Sequence, residues 1–427
     1  MELDNGMKLV VKKLPINAVY AKLFVDCGSI YENRGNNGVS HFLEHMVGED
    51  GQIKDRRLRP VYRIERTGDD LNAWTGQRFT EYDLYSSLDF WRHNLRLFLD
   101  MIAAPVFSEK NLKKERRAII REIEDIDSQS NDFDKEALKR MFRGHPISFP
   151  IIGRKKTVLN FSSRKIRNWH KRFYQPQRTL LLVAGAVDIN DILIIVKRSK
   201  YFSLVNRDKV KAVPEVCCNP QPNMIIGDLA INKSAIIFPL NFYLSDLDKF
   251  YADIVLDILQ DQAASSIRWN TERELGLYGA VTVEKNFQVY PFIKINIMSP
   301  SHKILKKLEK DFLRWIKKTA EHGSSKDAFT RFRNRKIRQM ECRCKNRPCA
   351  DLRKIDFNSG NELTKIGFWW VEFLAGAIIG NTLESIELNL QPRHIEKREL
   401  ERVFNECLGG EYKIFRSFNK KPRDDEE

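Results

Sequence analysis

The order of strand-like and helix-like segments in the first half of the chain recurs in the second half. Residues 19–26 and 80–86 have the pattern of half-buried strands, and helical spacing follows at 89–103 and after Ser108, an expected N-cap. The second half has its own strand-like and helical segments, at 234–242, 246–260, 281–283, 292–297 and 302–322. This recurrence indicates a duplicated unit that combines strands with helices.

A proline-bearing segment separates the two halves. Pro214, Pro220 and Pro222 fall within residues 210–222, and each removes a backbone donor and disfavours helix. We therefore expect an N-terminal domain over residues 1–209, a linker over 210–224 and a C-terminal domain over 225–418. Residues 419–427 are mostly charged, and we expect them to form a disordered tail.

The charge balance raises the question of an acidic partner. The chain has 73 lysines and arginines against 57 aspartates and glutamates, a formal net charge of +16. This excess is scattered through runs such as 54–59 and 331–336, which favours a solvated surface over a nucleic-acid site. We expect no nucleic-acid partner. The alternative stays open, and binding that survives physiological salt would support it.

Cysteine usage and the apolar segments indicate the compartment. The seven cysteines are odd in number and irregularly spaced, which disfavours a disulfide framework. Cys342, Cys344 and Cys349 lack a fourth metal ligand at the usual spacing, so we interpret them as ordinary thiols. No targeting segment is visible, and the apolar run at 368–379, interrupted by Glu372, is too short to cross a bilayer. We expect a cytoplasmic protein without a membrane partner.

A histidine motif has the most specific chemistry in the chain. His41, Glu44 and His45 form an H-x-x-E-H pattern. On a helix, the two histidines project from one face with Glu44 beside them. Two imidazoles suit zinc, and the carboxylate suits a general base that takes a proton from a water molecule. The spacing is that of the inverzincin metallopeptidases, and a chance pairing on an amphipathic surface helix is the alternative.

A zinc site that keeps one position for water needs a third protein ligand. In the helix that starts near Ser108, one stripe of three- and four-residue spacings contains Leu112, Glu115, Ile119, Glu122 and Ile126. Because an unpaired buried carboxylate is costly, the stripe predicts a positive group facing both glutamates. We predict Glu122 as the third zinc ligand and Glu115 as a group that supports the ligands from behind.

The alternative for these glutamates is a solvated helix. In that case Arg116, Arg117 or Arg121 would neutralise them, and no metal would be needed. Glu124 points away from the stripe, so we prefer Glu122 as the ligand.

Five sequence blocks, taken in order, resemble the pitrilysin and mitochondrial processing peptidase family of zinc metallopeptidases. They are residues 3–9 (LDNGMKL), 28–32 (GSIYE), 38–46 (GVSHFLEHM), 71–75 (LNAWT) and 115–122 (ERRAIIRE). The family's third zinc ligand is marked by two glutamates seven residues apart, which here are Glu115 and Glu122. The resemblance implies one zinc ion per chain, because the second half has no counterpart of the histidine motif.

The resemblance also implies a substrate-binding residue in the first half. Asn72, on the strand that enters residues 73–75, is implied to hydrogen-bond the substrate backbone near the metal. An extended peptide is implied to pair with a sheet edge there. The alternative reading of Asn72 is a turn residue.

The second half resembles the family more weakly. Arg273 and Tyr278 flank a Gly-Leu pair and are the implied substrate contacts, although the family spacing is longer. Aligned without gaps on that pair, the family's arginine and tyrosine fall on Glu272 and Gly279 instead. The loop has therefore shortened, or the contact has been lost.

The implied fold is α+β, with two similar domains that each pack helices on a mostly antiparallel sheet. The implied activity is zinc-dependent endopeptidase cleavage of peptides or unfolded precursors inside a closed chamber. Two-domain chains of this kind usually pair, so we expect a homodimer, with a heterodimer as the second choice. A non-hydrolytic, substrate-binding subunit of a heterodimer is the alternative, which the intact metal and base residues disfavour. Substrate identity and the choice between dedicated maturation and general turnover stay open.

Overall fold

A computed structural model describes part of the chain in detail. The described residues are 1–14, 16–48, 57, 59–129, 133–204, 224–228, 232–240, 248, 251–252, 254–256, 258–259, 280–286, 292–299, 301–322, 330–331, 334, 396–410 and 412–418. Arg273, Tyr278, the cysteines at 342–349, the run at 368–379, the tail and nearly all of the predicted linker lie outside them.

Ten strands and ten α-helices have defined bounds in the described residues. The strands are β1 (Lys8–Lys13), β2 (Ala18–Val25), β3 (Asp70–Thr75), β4 (Thr80–Ser87), β5 (Thr179–Gly185), β6 (Met224–Asp228), β7 (Asn232–Pro239), β8 (Ala280–Asn286), β9 (Phe292–Ser299) and β10 (Lys413–Phe418). The helices are α1 (Val39–Val47), α2 (Pro60–Glu65), α3 (Trp91–Ala103), α4 (Glu109–Gln129), α5 (Phe133–Met141), α6 (Lys155–Leu159), α7 (Ser163–Phe173), α8 (Ile189–Arg198), α9 (His302–His322) and α10 (Lys397–Leu408). Within this described part, no helix has the length and apolar character needed to span a membrane.

The chain divides into two compact units. Of the described residues, 1–129 and 145–204 belong to the first unit, and 133–144 and all those from 224 onward belong to the second. The sequence did not predict that residues 133–144, which fall within the first half of the chain, belong to the second unit. The Phe142 ring lies 5.8 Å from the Phe292 ring of β9, so this segment packs on the second sheet. The predicted domain boundaries stay predictions.

The first unit is built on a sheet with the strand order β1-β5-β2-β4-β3. Strands β1 and β5 are parallel, and the other neighbours are antiparallel. Strands predicted at 19–26 and 80–86 are found as β2 and β4, and β4 buries every second residue from Thr80 onward, as a half-buried strand does. The prediction of a half-buried strand is wrong for β2, because all eight of its residues are buried. Strand β3 is an edge of this sheet and lies against α1.

Helices cover one face of this sheet. Predicted helices at 89–103 and after Ser108 are confirmed as α3 and α4, and the Ser108 hydroxyl accepts a 3.2 Å hydrogen bond from the backbone N–H of Asn111, as an N-cap does. The apolar faces of α1, α3, α4 and α7 share one core with β2, β4 and β5. Helix α1 therefore lies between the sheet and the long helix α4.

The second unit repeats this topology. Its strand order is β6-β10-β7-β9-β8, which is again first, last, second, fourth and third along the chain. Its first and last strands are parallel, and the rest are antiparallel. Strands predicted at 234–242, 281–283 and 292–297 are found as β7, β8 and β9, and the helix at 302–322 as α9. Eight of the fifteen residues of the predicted helix at 246–260 are described, and all eight are helical. The expectation of two similar α+β domains is confirmed.

Candidate metal centre

The N-terminus of α1 is held by a buried carboxylate. Glu32, 3% exposed, accepts hydrogen bonds from the backbone N–H groups of Gly38 at 2.7 Å and Ser40 at 2.9 Å. Gly38 has φ of +90°, and a Cβ there would lie 2.6 Å from the Cα of Gly153, so glycine is required. The helix that contains the histidine motif therefore starts in a closely defined position.

His41, His45 and Glu122 come together between α1 and α4. The Nε2 of His41 lies 3.7 Å from one carboxylate oxygen of Glu122, and the Nε2 of His45 lies 3.6 Å from the other. Within the described part of the chain, these three residues form the group whose donor atoms converge as a metal site requires, all within 4.8 Å of one another. The sequence prediction and the geometry name the same three side chains.

The spacing of these donor atoms fits zinc. Bonds of about 2.1 Å at tetrahedral angles place ligand atoms roughly 3.4 Å apart, close to the two nitrogen–oxygen separations found here. Burial and the neighbouring His45 lower the pKa of His41 to about 3, so its imidazole is neutral and its Nε2 lone pair can bind a cation. Two imidazoles and one carboxylate are a donor set that zinc accepts with one position left open.

Glu115 lies behind His45. Its Oε2 is 3.2 Å from the Nδ1 of His45, and the side chain is buried. When Nδ1–H donates to Glu115, the Nε2 lone pair faces Glu122. Burial opposes the charged form of each partner, but their mutual interaction prevails, so the pKa of His45 is raised and that of Glu115 is lowered. This is the position predicted for Glu115.

Glu44 has its own partner on β3. The hydroxyl of Thr75 donates a 2.5 Å hydrogen bond to the Oε2 of Glu44. Burial raises the pKa of Glu44, the hydrogen bond from Thr75 lowers it, and the negative charge of Glu122 raises it. Glu44 is thus a half-buried carboxylate next to the histidine pair, as a general base requires.

The buried stripe predicted on α4 is correct only in its first half. Glu115 and Ile119 are buried, but the Glu122 side chain is 42% exposed and Ile126 is at the surface. Ile123 takes the buried position instead. A seven-residue spacing drifts by about 20° per repeat on a straight helix, so the later positions of the stripe turn away from the core.

The alternative, in which arginines of α4 neutralise Glu115 and Glu122, is not observed among the described contacts. Arg116 donates instead to the backbone carbonyl of Phe161. Glu115 contacts His45 and Lys114, and Glu122 faces both histidines. Glu124 points away from the cluster and pairs with Lys155.

Asn72 lies on the exposed face of β3. Burial alternates along this strand, and Asn72 and Trp74 are exposed while Thr75 is buried against α1. The side chain of Asn72 is therefore on the opposite strand face from that of Thr75. Its predicted role in substrate binding stays a prediction, as do those of Arg273 and Tyr278.

Two residues of this site were missed at the sequence level. Glu32 and Thr75 both fall in blocks that resemble the peptidase family, but no local spacing connects Glu32 with the start of α1 or Thr75 with Glu44. Each contact depends on a loop or strand that tertiary packing brings to α1.

Two protein-family models match most of this chain. Residues 8–155 match the insulinase (peptidase family M16) model, and residues 160–336 match the peptidase M16 inactive domain. The chain belongs to the M16 peptidase family. The division between an M16 domain that contains the H-x-x-E-H motif and a second, inactive-type domain agrees with the one converging ligand group found in the described residues.

Curated relatives are similar in sequence to parts of this M16 chain. An uncharacterized zinc protease of Bacillus subtilis is 29% identical over 43% of this chain and 45% of its own length. The mitochondrial-processing peptidase subunit beta of Caenorhabditis elegans is 28% identical over 47% of this chain and 43% of its own length. In both cases the match spans less than half of the relative.

Solved structures resemble the M16 chain over nearly its whole length. A protease from Helicobacter pylori superposes with a TM-score of 0.77 at 18% identity, covering 98% of each chain. Pitrilysin superposes with a TM-score of 0.74 at 16% identity, covering 99% of this chain and 45% of pitrilysin. At these identities the likeness establishes the fold alone.

Proposed function

We propose that this M16 chain is a zinc-dependent endopeptidase that cleaves peptides or unfolded precursor polypeptides. The observation that carries the proposal is the convergence of His41, His45 and Glu122, with Glu44 beside them on the same helix. Membership of a peptidase family and relatives named zinc proteases support it.

The positions of these side chains suggest a separate role for the metal ligands, for Glu44 and for Glu115. His41, His45 and Glu122 would hold a zinc ion, which would supply Lewis-acid polarisation of a carbonyl and would acidify a water molecule. Glu44 accepts the proton of the attacking water and returns it to the leaving amine. Burial raises the pKa of Glu44, which makes its carboxylate a stronger base than a fully hydrated one. Glu115 keeps the His45 ring in the tautomer that leaves Nε2 free.

We propose that two copies pair around the substrate, and that a partner of different sequence is the second choice. The superposition on pitrilysin covers 99% of this chain but only 45% of the pitrilysin chain. This difference in length supports the idea that one copy corresponds to half of a larger enclosure. A relative named as a subunit of a processing peptidase supports the heterodimer.

The test of the function is peptide hydrolysis with and without a chelator. Purified chain is incubated with a library of internally quenched peptides, then treated with chelator and resupplied with zinc. We expect cleavage at internal bonds that stops on chelation and returns with zinc. Hydrolysis that survives complete removal of metal, or a Glu44→Gln variant as active as the parent, would overturn the proposal. A chain that binds peptides without cleaving them would support the non-hydrolytic subunit instead.

A further inference from the structure

A hydroxyl group lies against the carboxylate of Glu44. Thr75 ends strand β3, is 3% exposed, and donates a 2.5 Å hydrogen bond to the Oε2 of Glu44 across 31 residues of sequence. A hydrogen bond from a neutral hydroxyl to a carboxylate belongs to the stronger class in proteins. It restrains one of the two oxygens of Glu44.

The backbone around Thr75 is held on several sides. Thr75 pairs with Thr80 of β4, and the next residue, Gly76, donates to the carbonyl of Phe79 at 2.7 Å. The carbonyl of Gly76 accepts from the N–H of Ser29 at 3.2 Å. The hydroxyl therefore approaches Glu44 from a turn and sheet edge that are already ordered.

The proposed role of Glu44 as a general base makes a demand on its other oxygen. A carboxylate that acts as a general base needs one oxygen directed at the water and has to keep that direction during proton transfer. Glu44 sits on the last turns of α1, and its side chain has rotatable bonds that the helix does not restrain. A donor fixed on the neighbouring strand supplies that restraint.

We propose that Thr75 is a positioning residue for the general base: its hydroxyl holds the Oε2 of Glu44, so that Oε1 is presented to the water that attacks the peptide. The inference rests on the proposed function, since it assigns a task only if Glu44 is the base. Thr75 touches neither metal nor substrate in this assignment and acts through Glu44.

Valine has the shape of threonine without the hydroxyl, so Thr75→Val tests the hydrogen bond with little change in packing. We expect kcat to fall on the order of 10- to 100-fold with KM within about twofold, the range found when a supporting hydrogen bond to an active-site group is removed. Zinc affinity, measured by chelator competition, is expected to change by less than about threefold. Thr75→Ser restores the donor and is expected to recover most of kcat.

A matched control lies directly opposite. Thr80 is buried on β4, and its hydroxyl donates to the carbonyl of Cys27 at 2.6 Å, away from Glu44. Thr80→Val removes a buried hydroxyl from the same strand pair, so it should lower the stability of the protein about as much as Thr75→Val does. Its kcat, however, should stay within about threefold of the parent. Equal losses of kcat in Thr75→Val and Thr80→Val would overturn the inference, because they would mark a general packing effect.

Two further measurements decide whether Thr75 acts through Glu44. In a Glu44→Gln background, Thr75→Val should cause no further fall in the residual rate, since residues that act as a unit are not additive. In metal-free protein, Thr75→Val should lower the unfolding midpoint more in the parent than in Glu44→Ala, where the acceptor is already gone. Additive effects in both measurements would overturn the inference.

The outcomes separate the inference from the function on which it rests. If the parent cleaves peptides, Glu44→Gln does not, and Thr75→Val keeps the parental kcat, the positioning role alone is wrong. The same holds if Thr75→Ser is as defective as Thr75→Val. If the parent shows no chelator-sensitive cleavage, the proposed function fails and the positioning role fails with it.

Discussion

His45 faces Glu115 through Nδ1 at 3.2 Å, with its other ring nitrogen directed toward Glu122. The two glutamates lie two helical turns apart on α4, and the imidazole ring bridges that distance. One glutamate can therefore orient the ring while the other shares a metal with it.

Glu44→Gln separates proton transfer from metal binding. The amide keeps the size of the side chain and still accepts the Thr75 hydrogen bond, but it does not take a proton from water. We expect zinc at close to the parental level and a fall in kcat of at least about 100-fold. Metal analysis and peptide cleavage on the same preparation check this. Loss of zinc from this variant would show that Glu44 is a ligand.

Glu122→Gln acts on the metal itself. Replacing a charged ligand by a neutral amide weakens a site of two histidines and one carboxylate, so both zinc content and cleavage should drop. Glu124→Gln, on the same helix but paired with Lys155, is the control and should change neither. Full zinc in Glu122→Gln together with loss in Glu124→Gln would show that the third ligand is assigned wrongly.

Glu115→Gln should weaken zinc binding less severely than Glu122→Gln. The variant keeps a polar group near His45 but removes the charge that fixes the tautomer of the ring. We expect zinc affinity to fall on the order of 10- to 100-fold, as is common when such a group behind a ligand is lost. Chelator competition measures it, and an unchanged affinity would contradict the role given to Glu115.

Glu32 makes stability depend on pH. Burial raises its pKa to about 7, although the N–H groups of Gly38 and Ser40 oppose the shift. An acid whose pKa is raised by folding stabilises the native state below the unfolded pKa and loses that contribution as pH rises through about 7. The free energy of unfolding of metal-free protein should therefore fall between pH 5 and 8, by at most about 1.4 kcal/mol per pH unit from this group.

Glu32→Gln is the matched variant for that measurement. It removes the titrating group, so this part of the pH dependence should disappear, while the loss of one acceptor oxygen lowers stability by about 1–3 kcal/mol. Denaturant titrations of both proteins across the pH range check it. An identical slope in the two proteins would show that Glu32 does not titrate in this range.

The assembly proposal predicts a particle of two copies. If a closed chamber around the metal centre needs a second chain, multi-angle light scattering should give about twice the 50.1 kDa of one chain. Dilution should lower the specific peptidase activity as the pair dissociates. A strictly monomeric particle with full activity at every dilution would contradict the closed chamber.

Local spacing was enough for the features whose determinants lie within a few residues. The one-sided arrangement of His41 and His45 needs only a helix, the alternation of β4 needs only a strand with one buried and one half-buried face, and the start of α4 needs only the Ser108 cap. The repeated order of elements likewise predicted two similar domains, and the common strand order of the two sheets agrees.

Tertiary packing decided the features that depend on distant parts of the chain. The heptad-like spacing treated Glu115 and Glu122 alike, but the core covers Glu115 and leaves Glu122 half-exposed, where it can meet both histidines. The hydrogen bond from Thr75 to Glu44 likewise requires β3 to lie against α1. Sequence periodicity describes which side of one element is apolar, whereas such contacts depend on how several elements approach one another, and only the packing of the whole core sets that approach.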